Sequence, residues 1–148
     1  MMVKIVPFED KHVDQFNFVG QKFLDTDIAL LLHYYAAHGP AFTILNEKEI
    51  IGIAGVVILW PGVGEAWTFL NPSFKRYAKS IHRAVKEKLQ EIMDTFNLHR
   101  VQTTVLDGFE AGIRWVKRLG FEEEGIMKAY GPNGEDFIRF ARVRKCQA

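Results

Sequence analysis

A chain of 148 residues is long enough for one domain with its own hydrophobic core, and 48% apolar with 25% charged residues is the composition of a folded rather than a disordered protein. The formal net charge of +1 predicts no overall attraction to nucleic acid or to an anionic membrane, so any anion site must be local. The longest apolar runs are too short or too interrupted by glycine to span a bilayer, and the N-terminus lacks a signal-peptide core, so we expect a cytoplasmic protein with one domain over residues 1–148.

The first half of the chain predicts a strand, two helices and a hairpin. The apolar, β-branched segment Val3–Val6 is typical of a short strand. Apolar residues recur at helical spacing from Glu9 to Val19, and a second helix over "IALLLHYYAA" could be capped by Asp25 or Asp27. The segments "AFTILN" and "IIGIAGVVIL", separated by a polar turn, indicate an antiparallel hairpin in the middle of a sheet.

The second half predicts helices and strands in alternation. A strand over "EAWTFLN" leads through a Pro-containing turn into an amphipathic helix, whose apolar face is formed by Ile81, Ala84, Val85, Leu89, Ile92, Met93 and Phe96. A strand over "HRVQTTVL", which should lie parallel to "EAWTFLN", is followed by a helix over "FEAGIRWVKRLG" and a hairpin that turns at "PNG". The order β-α-α-β-β-β-α-β-α-β-β predicts a mixed α/β fold with about seven strands in one sheet and about four helices on its two faces.

The element order and the segment "IRWVKRLGFEEEG" resemble the GNAT superfamily of acyl-CoA-dependent N-acetyltransferases. In that family a helix ends in Leu-Gly-Phe before a Glu-Gly strand, and "EDFIRFARV" is similar to the family's last strand. The segment "LWPGVGEAW" looks more like short GNAT-like proteins of tailed phages. The resemblance covers essentially the whole chain. It implies a fold in which two neighbouring parallel strands separate around the pantetheine arm of the cofactor.

The resemblance also implies acetyl-CoA as the co-substrate and assigns residues to it. Phe69, Leu70 and Asn71 would offer backbone groups to pantetheine. The phosphate loop would comprise Lys75, Arg76, Tyr77, Ala78, Lys79 and Ser80. This loop opens the amphipathic helix, and free N–H groups at a helix N-terminus bind anions.

The predicted phosphate loop departs from the family's Arg/Gln-x-x-Gly-x-Gly/Ala pattern. Ala78 and Ser80 stand where glycines are expected, and they allow less backbone freedom than glycine. Lys75, Arg76 and Lys79 add positive charge, which at a helix N-terminus costs about 0.3–1 kcal/mol per residue. A bound diphosphate would remove that conflict, whereas the alternative is a solvated basic helix start.

Acetyl transfer to an amine needs a base, and the family often uses a glutamate of the fourth strand. Glu65 occupies that strand beside Trp67, and burial against an indole would make its carboxylate a stronger base; the alternative is a solvent-facing residue at the strand edge. The family's usual acid, a tyrosine of the last helix, corresponds to Val116, and its usual asparagine corresponds to Phe109. Tyr130 in the final hairpin is therefore the candidate donor to the leaving thiolate, with simple packing as the alternative.

The histidines and the single cysteine predict no metal site. His33 and His38 are five residues apart, which is a poor spacing for sharing a metal on one helical face. His12 and His99 are expected at the surface. Cys146 lies two residues from the C-terminus and is interpreted as a tail residue.

Several aromatic residues of the first two helices could line a pocket for the acceptor, and these are Phe16, Phe18, Phe23, Tyr34 and Tyr35. Aromatic residues at helical spacing more often belong to the core, so this interpretation stays open. His82 is expected on the polar face of the basic helix, near the phosphate loop.

The leading hypothesis is an N-acetyltransferase that moves an acetyl group from acetyl-CoA to a small-molecule or protein amine by direct attack. The alternative is a non-catalytic GNAT-like phage or virion-associated protein with a degenerate CoA site, which the altered loop and the missing tyrosine and asparagine favour. Nucleic-acid binding through the basic helix is disfavoured by the near-neutral net charge. We expect no nucleic acid or membrane as partner, and a homodimer is compatible with the fold.

Overall fold

The computed structural model describes residues 2–16, 28–47 and 49–144. The described strands span Lys4–Pro7 (β1), Ala41–Asn46 (β2), Glu49–Trp60 (β3), Val63–Leu70 (β4), Arg100–Leu106 (β5), Glu122–Met127 (β6) and Phe137–Val143 (β7). The described α-helices span Lys11–Gln15 (α1), Ile28–Ala37 (α2), Ala78–Thr95 (α3) and Glu110–Arg118 (α4), and a 3-10 helix covers Pro72–Tyr77. This order confirms the succession of elements that the sequence predicts.

The seven described strands form one sheet in the order β1-β2-β3-β4-β5-β7-β6. β4 and β5 are parallel, whereas every other neighbouring pair is antiparallel. α3 connects the two parallel strands, because a parallel pair needs a crossover long enough to return the chain to the same end of the sheet. The predicted parallel pair and the predicted hairpin of β2 and β3 are both confirmed.

Helices cover both faces of the sheet, as predicted. On one face α1 and α2 pack over an apolar cluster that includes Leu32, Ile53 and Phe69. On the other face α3 and α4 pack over a larger cluster that includes Val85 and Phe140. β3 contributes residues to both clusters, which explains why its sequence is apolar almost without interruption.

The apolar face of α3 is buried as the periodicity predicts, with Ile81, Val85 and Leu89 all less than a tenth exposed. Phe96 is 46% exposed, because α3 ends at Thr95 and Phe96 is its C-cap. The buried stripe is therefore shorter than the sequence predicts. No helix in the described ranges is long and apolar enough to cross a membrane.

α1 is shorter than the predicted helix and buries a histidine that the sequence places at the surface. Phe16 leaves the helix with φ −97° and ψ 124°, and Val19 and the predicted caps of α2 lie outside the described residues. His12 is only 5% exposed, and its Nδ1 lies 2.8 Å from Thr43 Oγ1 of β2. The surface prediction for His12 is wrong because this side of α1 faces the sheet.

Replacing Phe140 by alanine should lower the free energy of unfolding by about 3–5 kcal/mol, because the fully buried ring would leave a cavity in the larger cluster. Val143 of the same strand is 61% exposed and serves as the control, since Val143→Ala should cost less than about 0.5 kcal/mol. Urea unfolding followed by circular dichroism measures both. Equal losses would contradict the assignment of the core face of β7.

Candidate functional site

β4 and β5 separate soon after they begin to pair. Their parallel ladder contains the registered pairs Val63–Arg100, Gly64–Val101 and Glu65–Gln102. Beyond these pairs the two described strands continue to Leu70 and Leu106 without pairing to each other. The hydroxyl of Thr103 donates to the carbonyl of Ala66 at 3.0 Å, immediately past the last pair. The opening between the strands beyond this contact is termed the fork.

A cavity of about 60 Å³ lies at the fork, on the face of the sheet that α3 and α4 cover. Its walls are mostly apolar and include Ala66, Thr103, Leu89 of α3 and Trp115 of α4. Trp115 Nε1 donates to His82 Nδ1 at 3.2 Å, and this bond ties α4 to α3 beside the cavity. An apolar cleft bordered by unpaired strand edges suits a flexible chain that carries amide groups.

Only some peptide groups of the predicted pantetheine segment, Phe69 to Asn71, face the fork. The N–H of Asn71 donates to the carbonyl of Ile51 in β3 at 2.8 Å. Peptide groups alternate in direction along a strand, so those of Phe69 also point to β3, whereas those of Leu70 and Thr68 point to the fork. The geometry therefore favours Leu70, and with it Thr68, which the sequence did not single out, over Phe69 and Asn71.

The predicted phosphate loop is a 3-10 helix that runs directly into α3, since the first ends at Tyr77 and the second begins at Ala78. Tyr77 is buried, and its hydroxyl accepts a hydrogen bond from Asn46 Nδ2 in β2. Ser80 Oγ accepts from the N–H of Val3 at 2.9 Å. The side chains of Tyr77 and Ser80 thus hold the start of α3 against the sheet, which leaves the other loop residues to meet a ligand.

Three cations surround this helix start. Lys75, Arg76 and Lys79 are exposed, and none has an ion-pair partner among the described residues. The first turn of α3 contains no acidic residue, and Tyr77 as N-cap makes no side-chain capping bond. Ala78 is exposed as well. Three positive side chains therefore face solvent together at this helix start, an arrangement that attracts an anion.

Glu65 lies at the vertex of the fork, but its carboxylate is ion-paired. Arg139 Nη1 is 2.9 Å from both carboxylate oxygens, and Gln102 Nε2 donates to one of them at 3.1 Å. The sequence predicted a carboxylate against the Trp67 indole. The indole instead extends over β3, where a Cβ added at Gly55 would come within 2.8 Å of Trp67 Cζ2. The role of Glu65 as base stays a prediction. The groups that contact its carboxylate are the guanidinium of Arg139 and the amide of Gln102.

Arg139 and Gln102 belong to a row of polar side chains that crosses the sheet on this face. Arg100 Nε donates to Gln102 Oε1 at 3.0 Å, and the terminal nitrogens of Arg100 bind Glu124 at 2.9 and 2.5 Å. The hydrogen bond from Arg100 holds the pKa of the Glu124 carboxyl below its usual value. Sequence analysis missed this row. Its signal is the alternation of polar with apolar residues in β5, where Arg100 and Gln102 flank the buried Val101.

Two tyrosines face the same space as Glu65. Burial, followed by the neighbouring Tyr130 and Glu65, raises the pKa of Tyr35 on α2. The Tyr35 ring packs 5.2 Å from that of Trp67. Tyr130, the predicted donor, is 51% exposed and packs edge-on against Phe137 at 5.5 Å. The phenols of α2 and of the β6–β7 connection therefore lie on the Glu65 side of the sheet.

The other aromatic residues predicted to line an acceptor pocket have different surroundings. Phe16 is buried in the smaller cluster, and Tyr34 is 57% exposed with its ring 4.2 Å from that of His38. Phe18 and Phe23 lie outside the described residues. Within the described part of α2, Tyr35 is thus the aromatic residue that faces Glu65.

Val116 and Phe109 of the α4 region stand where the family usually has its acid tyrosine and an asparagine. Val116 is buried in the larger cluster. Phe109 is 53% exposed, and its ring lies over Gly112, where an added Cβ would come within 2.7 Å of it. α4 therefore carries neither the tyrosine nor the asparagine that the family usually has at these positions.

No group of three His, Cys, Asp or Glu side chains in the described part of the chain is arranged to hold a metal ion. His33 Nδ1 lies 3.1 Å from Asp10 Oδ1, and His38 Nδ1 donates to the carbonyl of Tyr34 at 2.6 Å. Cys146 lies outside the described residues.

No family model and no curated protein sequence matches this chain. Solved structures match it closely in fold. A spermidine N-acetyltransferase from Vibrio cholerae superposes with a TM-score of 0.77 at 14% identity, over 96% of this chain and 94% of that one. A ribosomal-protein alanine N-acetyltransferase from Escherichia coli superposes with a TM-score of 0.77 at 16% identity, over 99% and 97%. A ribosomal-protein alanine acetyltransferase from Vibrio fischeri has a TM-score of 0.71 at 16% identity, over 98% and 94%.

These likenesses span nearly the whole of each chain, and at such low identity they show the fold. This chain has the fold of the GNAT N-acetyltransferases, with a seven-stranded mixed sheet and helices on both faces. The resemblance predicted from "IRWVKRLGFEEEG" and the element order is confirmed at that level.

Replacing Arg139 by methionine should lower the free energy of unfolding by about 1–3 kcal/mol, because a partly buried carboxylate would lose its charged partner. The double variant Arg139→Met/Glu65→Gln should lose less stability than the sum of the losses of the two single variants, since the side chains are in direct contact. Urea titrations of the two single variants and the double variant measure the coupling. Strictly additive losses would show that the ion pair does not form in solution.

Replacing Glu124 by glutamine should lower stability at pH 7 by less than about 1 kcal/mol, because the pair with Arg100 is partly exposed. The hydrogen bond from Arg100 lowers the pKa of Glu124 in the folded state below the usual value of 4.5, so this contribution is present above that value and disappears as the pH falls through the folded-state pKa. Thermal unfolding of wild type and Glu124→Gln from pH 7 to pH 2.5 measures the difference. A difference that grows in acid would contradict the sign of the shift.

Proposed function

We propose that this chain, which has the GNAT fold, is an N-acetyltransferase that moves an acetyl group from acetyl-CoA to an amine. The observation that carries the proposal is the fork. Two parallel strands stop pairing after Glu65 and Gln102, a cavity lies at their opening, and β4 leads directly to a cationic helix start. The three features follow one another along the chain from β4 to α3.

The chain's residues fit a CoA thioester at this path. The unpaired peptide groups of Leu70 and Thr68 face the fork, where an amide-bearing arm can satisfy them. Lys75, Arg76 and Lys79 stand where a diphosphate would meet the N-terminus of α3. Each charge-assisted contact of this kind is worth about 1.5–3 kcal/mol, enough to offset the missing glycines of the loop.

The acceptor amine would approach from the opposite face, where Glu65, Tyr35 and Tyr130 lie. Its nitrogen attacks the acetyl carbon and the carbon–sulfur bond breaks. Glu65 takes the proton that the amine loses, directly or through water, and Arg139 holds that carboxylate in place through contacts of 2.9 Å. Tyr130 or Tyr35 supplies a proton to the thiolate, which can also depart without a strong acid.

The fold does not name the acceptor. The solved proteins of this fold include enzymes named for spermidine and for an alanine of a ribosomal protein, which are both amines. We propose a small-molecule or protein amine for this chain as well. A cytoplasmic location and a homodimer that pairs through the sheet are further proposals.

A non-catalytic GNAT-like protein is the second candidate. Val116 and Phe109 stand at the positions of the family's acid and asparagine, and small residues replace the glycines of its loop. A phage or virion-associated protein that kept the fold and lost turnover would carry these changes.

Acetyl-CoA at 100 times its Kd should add about 2.7 kcal/mol to the stability of the folded chain, which is a thermal shift of several degrees. The double variant Lys75→Glu/Arg76→Glu should lose this shift, because it reverses the charge at the helix start. The control variant Lys117→Glu/Lys128→Glu makes the same change in net charge at exposed positions outside the loop, and it should keep the thermal shift. No shift of the wild type at millimolar acetyl-CoA would overturn the proposed cofactor.

Glu65→Gln should keep acetyl-CoA binding and lose about 10²–10⁴-fold in kcat, because the amide cannot accept the amine proton. Release of free thiol from acetyl-CoA over a panel of polyamines and N-terminal peptides measures turnover. Binding without turnover of the wild type across this panel would favour the non-catalytic candidate.

A further inference from the structure

The two arginines of the polar row differ in how many of their nitrogens the protein itself binds. All three guanidinium nitrogens of Arg100 are bound, Nε to Gln102 at 3.0 Å and the other two to Glu124 at 2.9 and 2.5 Å. Arg139 uses only Nη1, which lies 2.9 Å from each carboxylate oxygen of Glu65. Among the described residues, Nε and Nη2 of Arg139 have no acceptor. Arg139 therefore keeps two donors for a ligand.

These two donors belong to a side chain that is mostly covered but still reachable. The side chain of Arg139 is 19% exposed, and neither of its unused nitrogens is sealed from solvent. A guanidinium typically meets a carboxylate through two parallel N–H bonds, and Arg139 meets Glu65 through one nitrogen. The planar fork of Arg139 is therefore open to a second carboxylate, which must come from outside the described chain.

Glu65 presents the opposite charge beside these donors. Its carboxylate is fixed by Arg139 and by Gln102 Nε2, which donates to it at 3.1 Å. The negative oxygens of Glu65 and the positive Nη1 of Arg139 are 2.9 Å apart. In an α-amino acid the amine nitrogen and the nearer carboxylate oxygen are about 3 Å apart, because only two carbon atoms join them. An α-amino acid therefore matches this ion pair in sign and in spacing.

The charge of the whole row favours the same kind of acceptor. Glu65 is paired with Arg139, and Glu124 is paired with Arg100, so these two pairs leave no excess of carboxylates to attract a polyamine. A peptide N-terminus carries a neutral carbonyl beside its amine, which makes weaker hydrogen bonds to a guanidinium than a carboxylate makes. A zwitterion with one charge of each sign fits the row better than either.

We propose that the acetyl acceptor is a free α-amino acid, whose carboxylate binds Nε and Nη2 of Arg139 while its amine faces Glu65. The proposal rests on the proposed function, because it names the substrate class of the same site. It gives Arg139 a second role, as a residue that binds the acceptor in addition to holding Glu65 in place.

Acetyl transfer to matched pairs of acceptors tests the proposal. Each natural L-amino acid is compared with its α-carboxamide, which has nearly the same shape and lacks the negative charge. Release of free thiol from acetyl-CoA gives kcat/KM, corrected for the fraction of neutral amine. The wild type should use its best amino acid about 10- to 100-fold better than the carboxamide of that amino acid, as expected for a charge-assisted pair of hydrogen bonds.

Arg139→Lys separates binding of the acceptor from support of the fold. The lysine keeps a cation for Glu65 but has no planar fork for a second carboxylate. It should lower kcat/KM for the amino acid about 10- to 100-fold and leave that for the carboxamide nearly unchanged. A purely structural role would lower both values equally. Thermal unfolding without ligand checks that the variant is folded.

Arg100→Lys is the matched control, because it makes the same change in the same row. The nitrogens of Arg100 are all bound to Gln102 and Glu124, so this arginine has none to offer to a ligand. The control should keep the wild-type ratio of kcat/KM between amino acid and carboxamide.

The outcomes distinguish the acceptor from the reaction. Equal use of amino acids and carboxamides, a preference for polyamines or peptides, or a ratio that Arg139→Lys leaves unchanged would overturn the amino acid as acceptor and keep the acetyltransferase. Absence of transfer to every amino acid, carboxamide, polyamine and peptide would overturn both.

Discussion

The separation of β4 from β5 is the constraint on which the rest of this molecule depends. Parallel strands in a sheet normally pair along their shared length, yet here the ladder ends at Glu65 and Gln102. The peptide groups beyond that point face an opening instead of a neighbouring strand, and unpaired backbone groups away from water are costly. A polar arm inserted between the strands would satisfy them. The fork is therefore a candidate binding site, because it leaves the sheet locally incomplete.

The distribution of charge follows from the same geometry. α3 starts at the open end of the fork, so the exposed cations Lys75, Arg76 and Lys79 lie at the way into the fork. On the other face Glu65 and Glu124 are balanced by Arg139 and Arg100, and this row carries no net charge. An anionic cofactor would thus reach Glu65 past the cationic start of α3, and an amine acceptor would reach it from the other face, over a row of side chains without net charge.

Much of the fold could be predicted from the chain because its signals are local. Periodicity located the strands and helices, and the helix between "EAWTFLN" and "HRVQTTVL" predicted their parallel pairing. The candidate site was less predictable. Glu65 was placed on the correct strand, but its partner Arg139 comes from a strand 74 residues away. His12 was expected at the surface because a short helix does not reveal which of its sides meets the sheet.

By itself, the sequence determined the order of elements, the buried stripe of α3 and the basic segment at its start. These depend on residues within one or two turns of each other, and periods of 2 and 3.6 residues record them directly. Only the tertiary structure decided where the parallel ladder ends, that the peptide groups of Phe69 and Asn71 face β3, and that Trp115 of α4 meets His82 of α3. Strand order and register bring those groups together across long stretches of chain, and no local pattern encodes such distances.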